Sequence, residues 1–324
     1  MMSPTGNRNP HDSAKETRFF QVADLVFAIT FVGYDDGFRL LPSFLPFERG
    51  TCDDSPVLFS MTVDDSIRPV SRTQRERIKE VDTGNGVTIV DQIQNGGYQF
   101  IIKDVNAEEC ALLITDKGFA QCRCALKGNA ITRSYGLNNA LMLMYAFAGA
   151  YKDTVLMHAS VVRQGGYGYA FIAQSGTGKS TQVSNWLKYI PGCDMMNDDN
   201  PVVRIVGDKC FIYGSPWSGK TPCYRNVKAP LGAVTRIDRQ SSNSVERVSA
   251  VQAFVFLLPS VSCMKWDVDL FHRICQTITR IVERTPIYIL HCLPDRNSAE
   301  VCHETIARKD NVQNQQHEAD RYIQ

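Results

Sequence analysis

The sequence predicts an α/β fold with a mixed sheet in its second half and a β-rich first half. Short β-type apolar runs, separated by Gly, Asn and Asp, fill residues 18–136, whereas strands and helices alternate over 137–306. Strand pairs joined by tight turns in the second half indicate that its sheet is mixed and not purely parallel. We therefore expect two domains, 18–136 and 137–306, between polar, disordered tails over 1–17 and 307–324.

The charge balance argues against nucleic acid as the main partner, and the hydropathy argues against a membrane-spanning segment. The 35 Lys and Arg residues nearly cancel the 34 Asp and Glu residues, so the chain lacks the positive field that binds nucleic acid. The central apolar run, 140–151, is about half of the ~20 residues that a membrane span needs. The polar start carries no secretion signal, and the eleven cysteines are scattered, so we expect a reduced, cytoplasmic protein.

The predicted elements follow from periodicity and turn residues. In the first half, β-type runs cover 57–63, 87–90, 98–102 and 111–114. In the second half, a buried helix is expected over 137–151. The strands expected after it are 155–163, 167–173, 202–206, 210–213, 231–237 and 286–293, and the helices are 248–258, 267–283 and 298–306.

The strongest motif is a phosphate-binding loop over 173–181, AQSGTGKST, which fits the Walker A pattern with Ala in its first glycine position. An apolar strand precedes it and apolar residues at helical spacing follow it, as the motif requires. Gly176 and Gly178 allow the backbone amides to approach a phosphate closely. The side chain of Lys179 reaches the β- and γ-phosphates of ATP, and Ser180 ligates Mg²⁺. The predicted nucleotide-binding residues are Ser175, Gly176, Thr177, Gly178, Lys179, Ser180 and Thr181.

An acidic pair, Asp198 and Asp199, follows the helix predicted after this loop. Next to a bound triphosphate, one carboxylate can hold Mg²⁺ while the other accepts the proton of an attacking hydroxyl. The alternative is an ordinary turn rich in Asp and Asn.

The order of these motifs resembles the kinase domain of HPr kinase/phosphorylase. His158 in LMHAS, the loop containing Gly176 and Lys179, and the pair Asp198 and Asp199 follow one another as in that family. The layout is also similar to the nucleotide domain of ATP-dependent phosphoenolpyruvate carboxykinase, which shares the fold. The match covers about 141–306, and it implies a mixed-sheet P-loop kinase domain that uses ATP and Mg²⁺.

The resemblance also implies roles for single residues. Asp198 corresponds to the general base, Asp199 and Ser180 to metal ligands, and His158 to a group beside the γ-phosphate or one that orients the Asp pair. From the sequence alone, His158 fits a hydrogen-bonded core residue equally well.

A loop-forming segment, YGSPWSGK, ends at Lys220. It is similar to an active-site loop of HPr-kinase-related proteins, which implies that Lys220 contacts the transferred phosphate or an acidic substrate. Alternatively, Trp217 simply packs and Lys220 is solvated.

The leading hypothesis is an ATP-dependent kinase that phosphorylates a hydroxyl of a peptide, a protein or a small molecule, with Asp198 as base. Two alternatives remain. One is a carboxykinase-type lyase, for which Arg133 is the nearest upstream arginine to bind a substrate. The other is a module that binds a protein partner under nucleotide control without turnover. A homo-oligomer is a further expectation that the family raises.

Overall fold

The computed structural model describes residues 15–50, 56–174 and 176–308. Most of both predicted tails, and Ser175 of the phosphate-binding loop, lie outside these ranges. Residues 15–17, which the sequence assigns to the first tail, belong to the first strand instead, because their backbone pairs with Thr30, Phe31 and Val32.

The first half forms a nine-stranded sheet, in which antiparallel pairs flank a parallel centre. Its order is β3-β1-β2-β4-β9-β8-β7-β6-β5. The strands are β1 (Lys15–Val22), β2 (Leu25–Val32), β3 (Glu48–Arg49), β4 (Val57–Val63), β5 (Arg75–Asp82), β6 (Val87–Ile93), β7 (Tyr98–Lys103), β8 (Glu109–Thr115) and β9 (Gln121–Leu126). Four of them lie where the sequence predicts strands.

One long helix, α1 (Ala130–Ala150), connects the two halves of the chain. It begins seven residues before the predicted start because the Asn129 side chain accepts hydrogen bonds from two first-turn amides. The predicted domain boundary therefore falls inside this helix. Gly136 lets α1 approach the sheet closely, since a Cβ there would lie 2.7 Å from the backbone of Cys110 in β8.

The second half also forms a nine-stranded sheet, with parallel and antiparallel pairs as predicted. Its main path is β10-β14-β15-β16-β12-β11-β13, and β18 pairs with both β16 and β17. The strands are β10 (Thr154–Leu156), β11 (Ala159–Gln164), β12 (Tyr167–Ile172), β13 (Asp194–Asp199), β14 (Val202–Val206), β15 (Lys209–Tyr213), β16 (Lys228–Arg239), β17 (Ser244–Arg247) and β18 (Ile287–Cys292).

Helices cover this sheet. The pair α2 (Lys179–Tyr189) and α5 (Arg296–Ile306) pack together on one face, and α3 (Ala250–Leu257) and α4 (Val268–Arg284) pack together beside α1. The helices predicted over 248–258, 267–283 and 298–306 are confirmed as α3, α4 and α5, with their ends within two residues of the prediction. The fold is therefore mixed α/β.

Two further elements differ from the sequence prediction. The single strand expected over 155–163 is broken at Met157 and His158, because the backbone there turns to pair with 260 and 261 in the segment after α3. The acidic pair, expected beside a strand, ends the strand β13 itself.

The apolar core is continuous across the two halves. Phe27 of β2 stacks on Phe59 of β4 at 4.9 Å and meets the ring of Tyr145 in α1 at 6.0 Å. Tyr145 in turn packs 5.2 Å from Trp217, which belongs to the loop after β15. This aromatic chain fixes that loop against both α1 and the first sheet.

No helix in the described ranges is long and apolar enough to cross a membrane. The ten cysteines within those ranges are free thiols.

Candidate functional site

The predicted phosphate-binding loop connects the end of strand β12 to the start of helix α2. Gly176 has a φ of +78° and Gly178 a φ of +124°, conformations that L side chains rarely adopt. Gly178 is the residue from which α2 begins. The sequence therefore needs glycine at both positions for the loop to take this shape.

Arg239, at the end of β16, holds the outer side of the loop. Its Nε donates to the carbonyl of Thr177 at 2.7 Å, and its second nitrogen donates to the carbonyl of Gly176 at 2.9 Å. Sequence reasoning missed Arg239, because it lies more than sixty residues from the motif and no local pattern marks it.

The first turn of α2 supplies Lys179, Ser180 and Thr181. The last two are exposed, and no acidic residue lies in this turn. The opening amides of a helix lack intrahelical partners and carry the positive end of its dipole. Together with the glycine loop, this turn is suited to bind a phosphate. Buried Val183 and Trp186 anchor the helix on the sheet.

Lys179 lies at the centre of the site. Its Nζ donates to the carbonyl of Ala173 at 3.1 Å and lies 2.9 Å from Nε2 of His158. Burial lowers the pKa of Lys179, and the nearby carboxylates of Asp199 and Asp198 oppose this effect. The charged amine is therefore desolvated enough to gain from a further anion.

His158 links the lysine to the acidic pair. Its Nδ1 lies 3.1 Å from Oδ1 of Asp199, and its backbone amide donates to the carbonyl of Ser260 at 2.7 Å. Since Nε2 faces the donor amine of Lys179, these partners assign the neutral tautomer with its proton on Nδ1. The break between β10 and β11 gives His158 this position.

The two aspartates have different surroundings. Asp198 is 4% exposed, and its carboxylate accepts hydrogen bonds from the Ser160 hydroxyl at 2.6 Å and the Thr221 amide at 3.2 Å. The side chain of Asp199 is 33% exposed, and its carboxylate accepts a hydrogen bond from the side-chain amide of Asn200 at 2.7 Å. Successive residues of a strand face opposite ways, so β13 separates the two carboxylates.

Asp199 also has a strained backbone, with a φ of +126°. A residue with a side chain is held in such a conformation only where its surroundings force it, and such strain concentrates at functional sites. The backbone of Asp199 is held by a bridge to Ser218.

The loop that follows β15 closes over the acidic pair. Trp217 is buried, and its Nε1 donates to the carbonyl of Asn138 in α1 at 3.2 Å. The amide of Gly219 donates to the carbonyl of Asp198. Lys220 is exposed and has no hydrogen bond or ion pair to any residue in the described ranges. Of the residues predicted in this loop, Trp217 packs, and Lys220 extends from its outer end.

A cleft of about 680 Å³ opens beside His158 and Asp199. The first half of the chain, the exposed side of α1 and the loop carrying Trp217 form its walls. Asp198 is not among its lining residues. The structure therefore brings Asp199 to this cleft and leaves Asp198 behind it.

A second, smaller cavity of about 270 Å³ lies on the other side of His158. Arg236 lines it, directly opposite Ile172 in the parallel pair β12–β16. The guanidinium lies 4.2 Å from the ring centroid of Phe256 and forms no ion pair with a described residue. Arg236 is a second residue that no sequence pattern marked.

Arg133, the upstream arginine considered from the sequence, is not brought to the site. Its guanidinium donates to the Asp65 carboxylate at 2.6 Å and to the Tyr34 hydroxyl at 2.7 Å. It lines neither of the two cavities beside His158.

Within the described ranges, no group of three or more His, Cys, Asp or Glu side chains is arranged to hold a metal ion. Mg²⁺ that arrives with a nucleotide needs no such group, since it binds through one or two carboxylates, a hydroxyl, water and the phosphates.

No protein-family model and no curated protein sequence matches the chain. Among solved structures, the chain is similar to the Hpr(Ser) kinase/phosphatase from Coxiella burnetii, at 8% sequence identity and a TM-score of 0.30. The similarity covers 52% of this chain and 97% of that chain. This is a weak structural relation, and it identifies no family for this chain.

Proposed function

We propose that this protein is an ATP-dependent kinase that transfers the γ-phosphate to a hydroxyl group. One observation carries the proposal: Lys179, His158 and Asp199 form a continuous line of contacts from the phosphate-binding loop to the cleft. Phosphoryl transfer uses a phosphate-binding loop, a cation that neutralises charge on the transferred group, and a residue that orients or deprotonates the acceptor.

The residues of the loop fit a nucleotide triphosphate. The glycine conformations, the helix start and the desolvated Lys179 all favour a bound polyphosphate. When bound, Mg-ATP supplies the phosphoryl group, whose bond to ADP breaks as its bond to the acceptor oxygen forms. The amides of 176–181 would hold the β-phosphate, and Ser180 with one carboxylate of the acidic pair would hold Mg²⁺.

We assign the two aspartates in the reverse of the order that the resemblance implies. Asp199 lines the cleft, so it accepts the proton of the acceptor hydroxyl. Asp198 is oriented by Ser160 and Thr221, as metal-ligating carboxylates commonly are by their own hydrogen bonds, so it serves Mg²⁺ with Ser180.

His158 and Lys179 serve the transferred group. Lys179 neutralises charge on the phosphate oxygens. His158 contacts both that amine and the Asp199 carboxylate, and so holds the two groups at a fixed separation. His158 is thus a positioning residue in this proposal.

The test is transfer of label from γ-labelled Mg-ATP into a size-fractionated lysate of the host. We expect labelled product with the wild type, none with Lys179→Ala, and normal product with Lys188→Ala, which removes an amine from the far end of the same helix. Nucleotide binding without label in any fraction would overturn the kinase and favour a nucleotide-controlled binding module.

A second candidate, the carboxykinase-type reaction, has one observation in its favour. Arg236 carries a charge that no described residue pairs, in a cavity next to His158 that is large enough for a small carboxylate. This reaction would release CO₂ from a keto acid only in the presence of nucleotide. Arg236→Gln would abolish that release, and it would leave transfer to a hydroxyl in the cleft unchanged.

A further inference from the structure

The cleft beside Asp199 has a lining with a distinctive charge. Asp199 contributes a carboxylate to its lining, and neither Lys nor Arg contributes to its walls. An anionic acceptor in this cleft would meet no Lys or Arg side chain in the lining and would lie close to the carboxylate of Asp199. Like charges a few ångströms apart in a partly desolvated site repel each other strongly. The cleft therefore selects against carboxylates and phosphates.

Neutral hydrogen-bonding groups form most of the remaining lining. Asn138 and Asn139 are consecutive residues of α1, and each side chain donates one N–H to a helix carbonyl at 2.9 Å. Asn138 donates to the carbonyl of Ser134, and Asn139 donates to the carbonyl of Tyr135. In the described part of the chain, neither carboxamide oxygen has a partner. Each of the two side chains therefore offers an acceptor and a second N–H to a ligand.

More polar groups lie around this pair. The cleft lining also includes Asn85, Asn200, Thr83 and Tyr224. A row of amides and hydroxyls without cations is suited to a molecule that both donates and accepts at many neutral positions. Polyhydroxylated molecules have this property, because each hydroxyl is a donor and an acceptor.

The size and the apolar part of the lining agree with a small molecule. A volume of about 680 Å³ lies within the usual range of small-molecule sites. Ile131, Met142 and Pro216 add apolar surface, against which the C–H groups of such a molecule can pack.

We propose that the phosphate acceptor is a neutral polyhydroxylated small molecule, a sugar or polyol, bound in this cleft by Asn138 and Asn139. This inference rests on the proposed kinase function and names its substrate class. One hydroxyl oxygen forms the new bond to phosphorus, its proton passes to Asp199, and ADP leaves.

The experiment divides the host lysate by size and ion exchange into macromolecules and into anionic, cationic and neutral small molecules. Each pool is incubated with the full-length protein and γ-labelled Mg-ATP. We expect label in the neutral pool alone, and we expect periodate treatment of that pool, which cleaves adjacent diols, to abolish labelling.

Each result has one meaning. Label in the anionic, cationic or macromolecular pool instead, or label that survives periodate, overturns this inference and leaves the kinase standing. No label in any pool overturns the kinase and the inference with it.

Two variants test the assigned residues with the purified acceptor pool. Asn138→Ala and Asn139→Ala should each raise the acceptor concentration for half-maximal rate by about tenfold, as the loss of one hydrogen bond in a desolvated site predicts. The half-maximal ATP concentration should stay unchanged. Asn106→Ala, in an exposed turn of the first sheet, is the matched control. An unchanged acceptor dependence in both cleft variants would remove these asparagines from the site.

Discussion

Nζ of Lys179 and Nε2 of His158 are 2.9 Å apart, so the lysine of the predicted phosphate-binding loop has a neutral acceptor within the protein itself. Because His158 also donates to Asp199, this contact connects the predicted phosphate-binding loop to the cleft. Most of the functional expectations follow from that connection.

The first prediction concerns pH. Burial lowers the pKa of Lys179 below its ordinary 10.5, and a bound phosphate would raise it again. Binding of ATP then takes up a proton, so its affinity should fall as the pH rises through the lowered pKa of the free protein. Calorimetry from about pH 8 to about pH 10 measures the affinity for ATP. The affinity of the wild type should fall over this range, whereas that of Lys179→Arg, which stays protonated, should not. Parallel curves for the two proteins would contradict this.

The second prediction separates the two aspartates. Asp199→Asn should lower kcat by at least about a hundredfold, the usual contribution of a general base, with Mg-ATP binding retained. Asp198→Asn should instead raise the Mg²⁺ concentration needed for half-maximal rate by about tenfold or more, as for a weakened metal ligand. A titration of rate against Mg²⁺ for both variants decides it. The opposite pattern would restore the order implied by the sequence resemblance.

The third prediction uses the backbone of Asp199. Its φ of +126° costs a residue with a side chain about 1–3 kcal/mol, and glycine avoids that cost. Asp199→Gly should therefore be more stable towards urea than Asp199→Ala by about 1 kcal/mol, although both variants lose the carboxylate and its activity. Equal unfolding midpoints would show that the backbone relaxes at no cost.

The fourth prediction concerns the loop glycines. Gly178→Ala places a methyl group at a φ of +124°, so the loop must change shape and Mg-ATP binding should weaken by about tenfold or more. Gly118→Ala is the control, because a Cβ there meets no atom within 4 Å and its φ is ordinary. Equilibrium binding of a fluorescent ATP analogue measures both. Unaltered binding in Gly178→Ala would exclude this loop shape from the bound state.

Much of the fold was predictable because the signals are local. Strand β4 and the hairpin turn at Gly165 and Gly166 follow from alternation and turn residues a few positions apart. The start of α1 was misplaced because its polar first turns carry no apolar period, and the cap at Asn129 decides where it begins. The break at His158 depends on pairing with a segment a hundred residues later.

The sequence by itself determined that a loop with glycines joins a strand to a helix at 173–181, because the residues of this motif are consecutive and the strand and helix adjoin them. It also singled out His158 and the acidic pair as candidates. Only the tertiary structure decided which aspartate faces the cleft. It also decided that Arg239 donates hydrogen bonds to the loop, and that Arg236 and the asparagines of α1 line cavities beside His158. The reason is physical: a side chain's direction depends on strand register and backbone angles, and the walls of a cleft come from segments that are distant in sequence.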